Sequence, residues 1–234
     1  MSKKIKHQES TTEEVFKNLE ETASRSEKFI EENKNIIMGA VAAVIIVIGG
    51  YMSFQTYYME PMNEEATNEL FNAKKYFEQD SLKLALNGDG QYMGFLDIAD
   101  DYSMTKSGNV ANYYAGVSYL KLGEYENAIE YLDKFSSDDK MVGPVAKGAI
   151  GDAFVGLNQL EEALDYYQDA ANANDNEFTS PLFLFKAGKT AMAINKYGEA
   201  QDLFEKIKNE YPKSAEAESI DKFIERAKAA DKNS

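Results

Sequence analysis

The stretch ANYYAGVSYLKLGEYENAIEYLDKF, residues 111–135, decides the fold because its pattern returns twice along the chain. The second copy is GAIGDAFVGLNQLEEALDYYQDA at 148–170, and the third is KAGKTAMAINKYGEAQDLFEKIKNEYP at 186–212. The alanines that align the copies, Ala128, Ala163 and Ala200, are 35 and 37 residues apart. A repeat of this period is typical of stacked helical hairpins.

Small residues hold a second fixed place in each copy, at Gly116, Gly151 and Gly188. We expect these glycines and the aligned alanines to lie where paired helices come closest, with large side chains filling the space around them. Between the two places stand Gly123, Asn158 and Asn195. Glycine and asparagine tolerate the left-handed backbone at a helix C-terminus, so each should end the first helix of its pair.

In period and register, residues 109–214 resemble three tetratricopeptide repeats. The early tryptophan of that family is absent, and only the third copy keeps a terminal proline, Pro212. The resemblance implies an all-α solenoid of helical hairpins. Residues 59–108 would form a degenerate lead-in repeat with helices over 63–77 and 94–101. Residues 215–234 would form a capping helix and polar tail, with Ile220 and Phe223 facing the stack.

The resemblance also implies a concave groove lined by fixed positions of each first helix. Transferred to this chain, the principal positions are Val110, Tyr113, Val117, Leu120, Asp152, Val155, Leu182, Phe185 and Met192, with Val145, Gly148 and Lys189 completing the register. Chaperone-binding relatives grip acidic tails with Lys and Asn where this chain has Tyr113 and Val117. The groove is therefore expected to be largely apolar and to suit a hydrophobic peptide or helix. The alternative, that neighbouring helices of the chain fill it, stays open.

Residues 36–54 carry no charged side chain. As a helix these 19 residues span about 28 Å, close to the hydrocarbon thickness of a bilayer. No other segment could surround such a helix in a soluble core, and the long leader before it and the poor cleavage site at Gly49–Met52 argue against a signal peptide. The sequence predicts one transmembrane helix within residues 35–58.

Basic residues set the predicted orientation. Lys17, Arg25, Lys28 and Lys34 precede the apolar run, whereas the first basic residue after it is Lys74. The positive-inside rule then places residues 1–34 in the cytoplasm and the repeats in the periplasm. An amphipathic helix is predicted in this leader from Thr12 onward. Within the membrane helix, Gly39, Ala43 and Gly50 share one face, where small residues allow another helix to approach closely, although such residues are also common in membrane helices.

Composition excludes several kinds of chemistry. The chain has no cysteine, and its one histidine is His7, so no Cys-His or Ser-His nucleophile and no thiolate metal site is expected. The net charge of −15 disfavours nucleic acid as a partner. No EF-hand spacing or phosphate-binding loop is present, and Asn87–Gly90 is interpreted as a turn. We expect no enzymatic activity and no cofactor.

The order of parts narrows the interpretation further. A leader ending in SEKFIEENKN (26–35), one membrane helix and outer repeats resemble the YfgM type of bacterial inner-membrane protein. That resemblance implies an ancillary subunit of the Sec translocon, working with a membrane-anchored periplasmic prolyl-isomerase chaperone. Two alternatives remain: a scaffold of envelope maintenance or outer-membrane assembly, and a structural tether whose repeats self-associate.

Overall fold

The structure is a computed structural model that describes Lys17, Arg25 and residues 27–232. The described residues form helices and connecting turns, without strands. The leader helix expected from Thr12 lies largely outside the described residues. The chain divides into two compact units, residues 1–60 and 61–234. The helices are α1 Lys34–Phe54, α2 Glu60–Glu78, α3 Leu82–Asn87, α4 Phe95–Asp101, α5 Lys106–Leu122, α6 Tyr125–Lys134, α7 Val142–Gly156, α8 Leu160–Ala173, α9 Thr179–Ala193, α10 Tyr197–Glu210 and α11 Ile220–Asp231.

Helix α1 has the length and composition to cross a membrane. Its 21 residues span about 32 Å at 1.5 Å per residue. The most apolar 18-residue window has a mean hydropathy of 2.3, and none of it is buried against described parts of the protein. A π-helical turn, Gln55–Met59, follows α1. The apolar side chains of α1 are exposed, whereas those of a buried core helix would be covered by protein, so α1 is not a core helix of the described structure.

The second unit is a solenoid of helical hairpins of the tetratricopeptide type, which confirms the predicted fold class. Helices α5 and α6, α7 and α8, and α9 and α10 form three successive pairs, each packed on the next. Helices α2, α3 and α4 precede them, and α11 packs on α10. Apolar side chains from each helix meet in a core that runs along the array.

The turns inside the three hairpins have one geometry. Gly123, Asn158 and Asn195 adopt φ values of 77°, 57° and 64°. In each turn the N–H of the following residue donates to a carbonyl of the first helix at 2.9 Å: Glu124 to Tyr119, Gln159 to Phe154 and Lys196 to Ala191. This is the Schellman arrangement. The prediction that these residues end the first helices is confirmed.

The small residues lie at the closest helix contacts, as expected. Ala128, Ala163 and Ala200 have no exposed surface. A methyl group added at Gly116, Gly151 or Gly188 would overlap the side chain that lies sixteen positions later, on the second helix of the same pair: Leu132, Tyr167 and Phe204 respectively. The repeat register inferred from the sequence is therefore the packing register.

The flanking helices differ from expectation in detail. The lead-in includes a short helix, α3, that the sequence did not predict, because six residues show too little periodicity. The predicted turn after it is present, with φ values of 75° at Gly88 and 88° at Gly90. At the other end, residues 216–219 form a 3₁₀ turn before α11. Ile220 is buried, as expected of a cap.

Candidate partner-binding groove

The first repeat contributes little open surface to the groove. Val110, Tyr113, Val117 and Leu120 are all half-buried. The Tyr113 ring lies 5.2 Å from that of Phe135, and Tyr113 and Val117 pack on a core cluster shared with α7. Val110 packs on the lead-in core. Neighbouring parts of the chain therefore cover much of this stretch.

Aromatic side chains fill part of the groove register in the later repeats. The ring of Phe183 occupies the space beside Gly148, where a methyl group would overlap it. The ring of Phe185 lies 5.9 Å from Phe204 and 4.8 Å from Phe223 of the capping helix. Leu182 packs on the same core. The Phe183 contact joins α7 to α9, and the Phe185 contacts join α9 to α10 and α11.

Asp152, Val155 and Met192 instead line two clefts along α9. The first cleft, about 320 Å³, lies between α7, α8 and α9 and is lined by Asp152, Val155, Leu160, Tyr167, Lys186, Lys189, Thr190 and Ala193. The second, about 350 Å³, lies between α9, the start of α10 and α11 and is lined by Lys189, Met192, Ala193, Tyr197, Phe223, Arg226 and Ala230. Because Lys189 and Ala193 line both, the clefts adjoin. We call the two together the α9 groove.

A hydrogen-bonded cluster forms the floor of the first cleft. Lys186 Nζ donates to both carboxylate oxygens of Asp152 at 2.7 and 2.8 Å. The Tyr167 hydroxyl donates to Asp152 Oδ1 at 2.5 Å. Burial, and then the neighbouring carboxylate, raise the pKa of Tyr167 well above its ordinary value. The cluster joins α7, α8 and α9, and it pairs the one carboxylate that lines the groove.

The remaining charged side chains of the α9 groove are cationic. Lys189 and Arg226 are exposed, and the ammonium of Lys189 lies 5.8 Å from the centre of the Phe185 ring. Met192, Phe223 and Ala230 provide apolar surface between them. In a chain of net charge −15, these two cations and the apolar surface between them are complementary to an apolar side chain accompanied by a carbonyl or carboxylate group. No group of three or more metal-ligating side chains occurs among the described residues.

Several residues that line this groove were not predicted from the sequence, among them Lys186, Phe223 and Arg226. Lys186 and Arg226 lie outside the positions that the family resemblance transferred, and Phe223 was assigned only to capping. Lys186 stands three residues before Lys189, and Phe223 three before Arg226. Such spacing places each pair on one helix face. That signal in the sequence could have identified a cationic and apolar strip.

The small residues of α1 lie apart from this groove in the sequence and belong to the other unit. Gly39, Ala43 and Gly50 are exposed, and apart from the backbone of α1 itself no described atom lies within 4 Å of a methyl group placed at Gly39 or Gly50. Room for close approach of another helix exists there. A partner helix at this face remains a prediction.

Comparison with known proteins agrees with the geometry. The tetratricopeptide repeat model matches residues 110–139 and 183–214, the first and third hairpins. A crystal structure of nearly identical TPR-like repeats from a Podosopora anserina kinesin light chain is similar, with a TM-score of 0.53 and 14% identity. The match covers 73% of this chain and 88% of that one and concerns the fold alone. No curated protein sequence matches the chain. Tetratricopeptide repeats indicate an adaptor for protein–protein interaction.

Proposed function

We propose that this protein is a membrane-anchored adaptor that binds a partner polypeptide in the α9 groove. The observation that carries the proposal is the groove itself, which combines apolar surface at Met192 and Phe223 with the cations Lys189 and Arg226. The predicted groove positions from Val110 to Leu120 pack mainly on the core of the array and leave little open surface for a partner. A partner segment with apolar side chains beside carbonyl or carboxylate groups complements this site.

In this proposal each predicted segment of the chain has its own role. Residues 1–34 form a cytoplasmic leader, 35–58 the membrane helix, 59–108 the lead-in, 109–214 the repeats and 215–234 the cap and tail. The repeats lie in the periplasm of a bacterium, on the side of the inner membrane away from the basic leader. The support for this orientation is the absence of Lys and Arg between Lys34 and Lys74.

The finer proposal is an ancillary role at the Sec translocon. The face of α1 with Gly39, Ala43 and Gly50 would pack beside the channel, and the α9 groove would bind the periplasmic prolyl-isomerase chaperone or emerging secreted chains. Tethering raises the local concentration of the repeats, so weak contacts suffice. This proposal rests on the resemblance in the order of parts and on the open space beside Gly39 and Gly50.

Charge reversal in the groove tests partner binding. The variant Lys189→Glu/Arg226→Glu should lose most of the chaperone that co-purifies with the full chain in mild detergent, because the two exposed cations of the groove are replaced. The control Lys83→Glu/Lys213→Glu makes the same change in net charge at exposed sites outside the groove and should retain it. Equal recovery with both variants would contradict the groove assignment. Circular dichroism checks that helix content is unchanged.

A second variant tests the membrane helix separately. Leucine at Gly39 and Ala43 should lower recovery of the channel subunit while leaving chaperone capture unchanged. If no channel subunit is recovered with the unmodified protein, the translocon assignment is wrong. Recovery of outer-membrane assembly components instead would favour the envelope-scaffold alternative, and recovery of differently tagged copies of this chain alone would favour the self-associating tether.

A further inference from the structure

Large apolar side chains are exposed at one recurring place in the array. Met104, Met141 and Phe178 are 64%, 40% and 73% exposed, and each stands immediately before or within two residues of the start of α5, α7 or α9. They are 37 residues apart in both steps. With Val142 they make up four of the eight exposed large hydrophobic residues in 61–232. Such side chains are normally covered when they recur together.

Hydrogen bonds place these residues along one edge of the array. The Asn176 side chain donates to the carbonyl of Lys140 at 3.4 Å, which brings the loops before α7 and α9 together. The Asn109 side chain donates to the carbonyl of Ser136 at 2.8 Å, which ties the start of α5 to the loop before α7. We call Met104, Met141, Val142 and Phe178, with the loops that carry them, the apolar edge.

Helix α2 begins on the same side of the array. The hydroxyls of Thr67 and Ser107 lie 3.0 Å apart, which places the first half of α2 beside the start of α5. Thr67 follows Phe54, the last residue of α1, by thirteen positions, a length of chain that spans about 20 Å as a helix. The polar headgroup layer takes up about 5–8 Å of that length. The apolar edge is thus on the side of the array at which α2 begins.

We propose that the apolar edge rests on the bilayer surface, with Met104, Met141 and Phe178 inserted between lipid headgroups. The inference rests on the proposed membrane anchor, and it assigns the lipid surface itself as a second binding partner of the repeats. Contact requires the array to lean toward the bilayer. The chain between α1 and α2 contains a π-helical turn at Gln55–Met59 and then Pro61. Both features are places where helices bend.

The charged residues beside the apolar edge determine which lipid headgroups it fits. An acidic residue stands within four positions before each apolar one: Asp100 and Asp101, Asp138 and Asp139, and Asp175 and Glu177. Lys106 and Lys140 are the basic residues nearest to the first two pairs in the sequence, and Lys134 lies close to Asp100 in the structure. Asp139 also holds the local backbone, since its carboxylate accepts from the N–H groups of Met141 and Val142 at 2.8 and 2.9 Å. Anionic lipid repels such an edge, so the surface it fits carries zwitterionic headgroups, whose ammonium groups meet the carboxylates.

Fluorescence quenching in lipid nanodiscs tests the contact with the full chain. Because the chain has no cysteine, a single Glu177→Cys variant can carry an environment-sensitive fluorophore beside an unchanged Phe178. The discs are phosphatidylcholine containing a lipid with a nitroxide near its headgroup. The matched control is Gln159→Cys, exposed in the turn between α7 and α8. Ile45→Cys, near the middle of α1, is measured in discs whose nitroxide lies near the end of the acyl chain, and it reports on the anchor.

The expected result is quenching at Glu177→Cys several-fold stronger than at Gln159→Cys. Adding Phe178→Ser should reduce the quenching at Glu177→Cys, and replacing part of the lipid with phosphatidylglycerol should reduce it further. Equal quenching at the two sites, or none at Glu177→Cys while Ile45→Cys is quenched, would overturn the proposal. Fluorophore self-quenching between two chains in one disc, without lipid quenching, would overturn it in favour of a second copy. An unquenched Ile45→Cys would show that the anchor itself is wrong.

Discussion

Gly188 and Gly198 differ in the space beside their Cα atoms. A methyl group at Gly188 would overlap the ring of Phe204, whereas one at Gly198 would have no described atom within 4 Å apart from its chain neighbours and the backbone of its own helix. Gly188→Ala should lower the free energy of unfolding by about 1–3 kcal/mol through overpacking. Gly198→Ala, in the first turn of α10, should raise it by roughly 0.5–1 kcal/mol because alanine favours the helix. Urea denaturation of the two variants checks the signs, and a stable Gly188→Ala would contradict the repeat register.

Ionisation of Tyr211 makes the stability of the array depend on pH in the alkaline range. Burial, and then the hydrogen bond to Asp175, raise the pKa of Tyr211 from 10.0 to about 12. The folded state holds this proton more tightly than the unfolded state, so the resulting stability is complete below about pH 10 and is lost as the pH rises through about 12. Tyr211→Phe should therefore show a smaller fall in Tm over that interval than the unmodified protein. The exposed-site variant Tyr92→Phe should keep the full fall, and identical falls in all three would contradict the assignment.

Residues whose role is local were predictable from sequence. Gly123, Asn158 and Asn195 end their helices because their own backbone tolerates a positive φ. The surroundings of Tyr113 and Phe185 were not predictable in the same way. Their neighbours, Phe135 and Phe223, come from the following turn and from the capping helix. Whether either side chain remains accessible to a partner depends on how successive helix pairs stack, and a single sequence does not specify this stacking.

At the scale of elements, α11 decides whether the third hairpin is stable. Its Phe223 ring lies 4.8 Å from Phe185 and 5.5 Å from Phe204, and Ile224 and Ala227 are buried against the same core. Truncation after Lys213 would expose these aromatic rings to water. We expect a lower Tm and concentration-dependent aggregation, since a stacked array needs a covered end. Removal of residues 232–234 alone should leave Tm unchanged, and an unaffected Lys213 truncation would show that α11 is not a cap.

Element prediction followed length and periodicity. The long amphipathic helices of the repeats and the apolar α1 were predictable, because their patterns extend over several turns. Helix α3 was not, since its six residues between Ser81 and Gly88 form fewer than two turns. The α9 groove shows the same limit. Its second cleft needs α9 and α11 together, and no periodicity within one helix indicates which helix packs beside it.

On the scale of the whole molecule, the net charge of −15 and the cationic α9 groove act in opposite directions. The overall charge repels acidic partners at long range, and screening limits this repulsion to roughly 8–10 Å at physiological salt. Lys189 and Arg226 then act only on a segment already close to the groove. Local concentration beside a membrane partner supplies that proximity. We therefore expect weak binding by the isolated repeats and effective binding by the anchored chain.

Site-specific photocrosslinking in native membranes tests the central claim, that the α9 groove binds a protein partner. A benzophenone amino acid replaces Met192, at the edge of the second cleft, or Asp165, exposed on α8 and outside both clefts. We expect a discrete crosslinked partner from position 192, lost when Lys189→Glu/Arg226→Glu is added, and no such product from position 165. Equal products from both positions, or no product from position 192 while the protein still co-purifies with its partner, would contradict the claim.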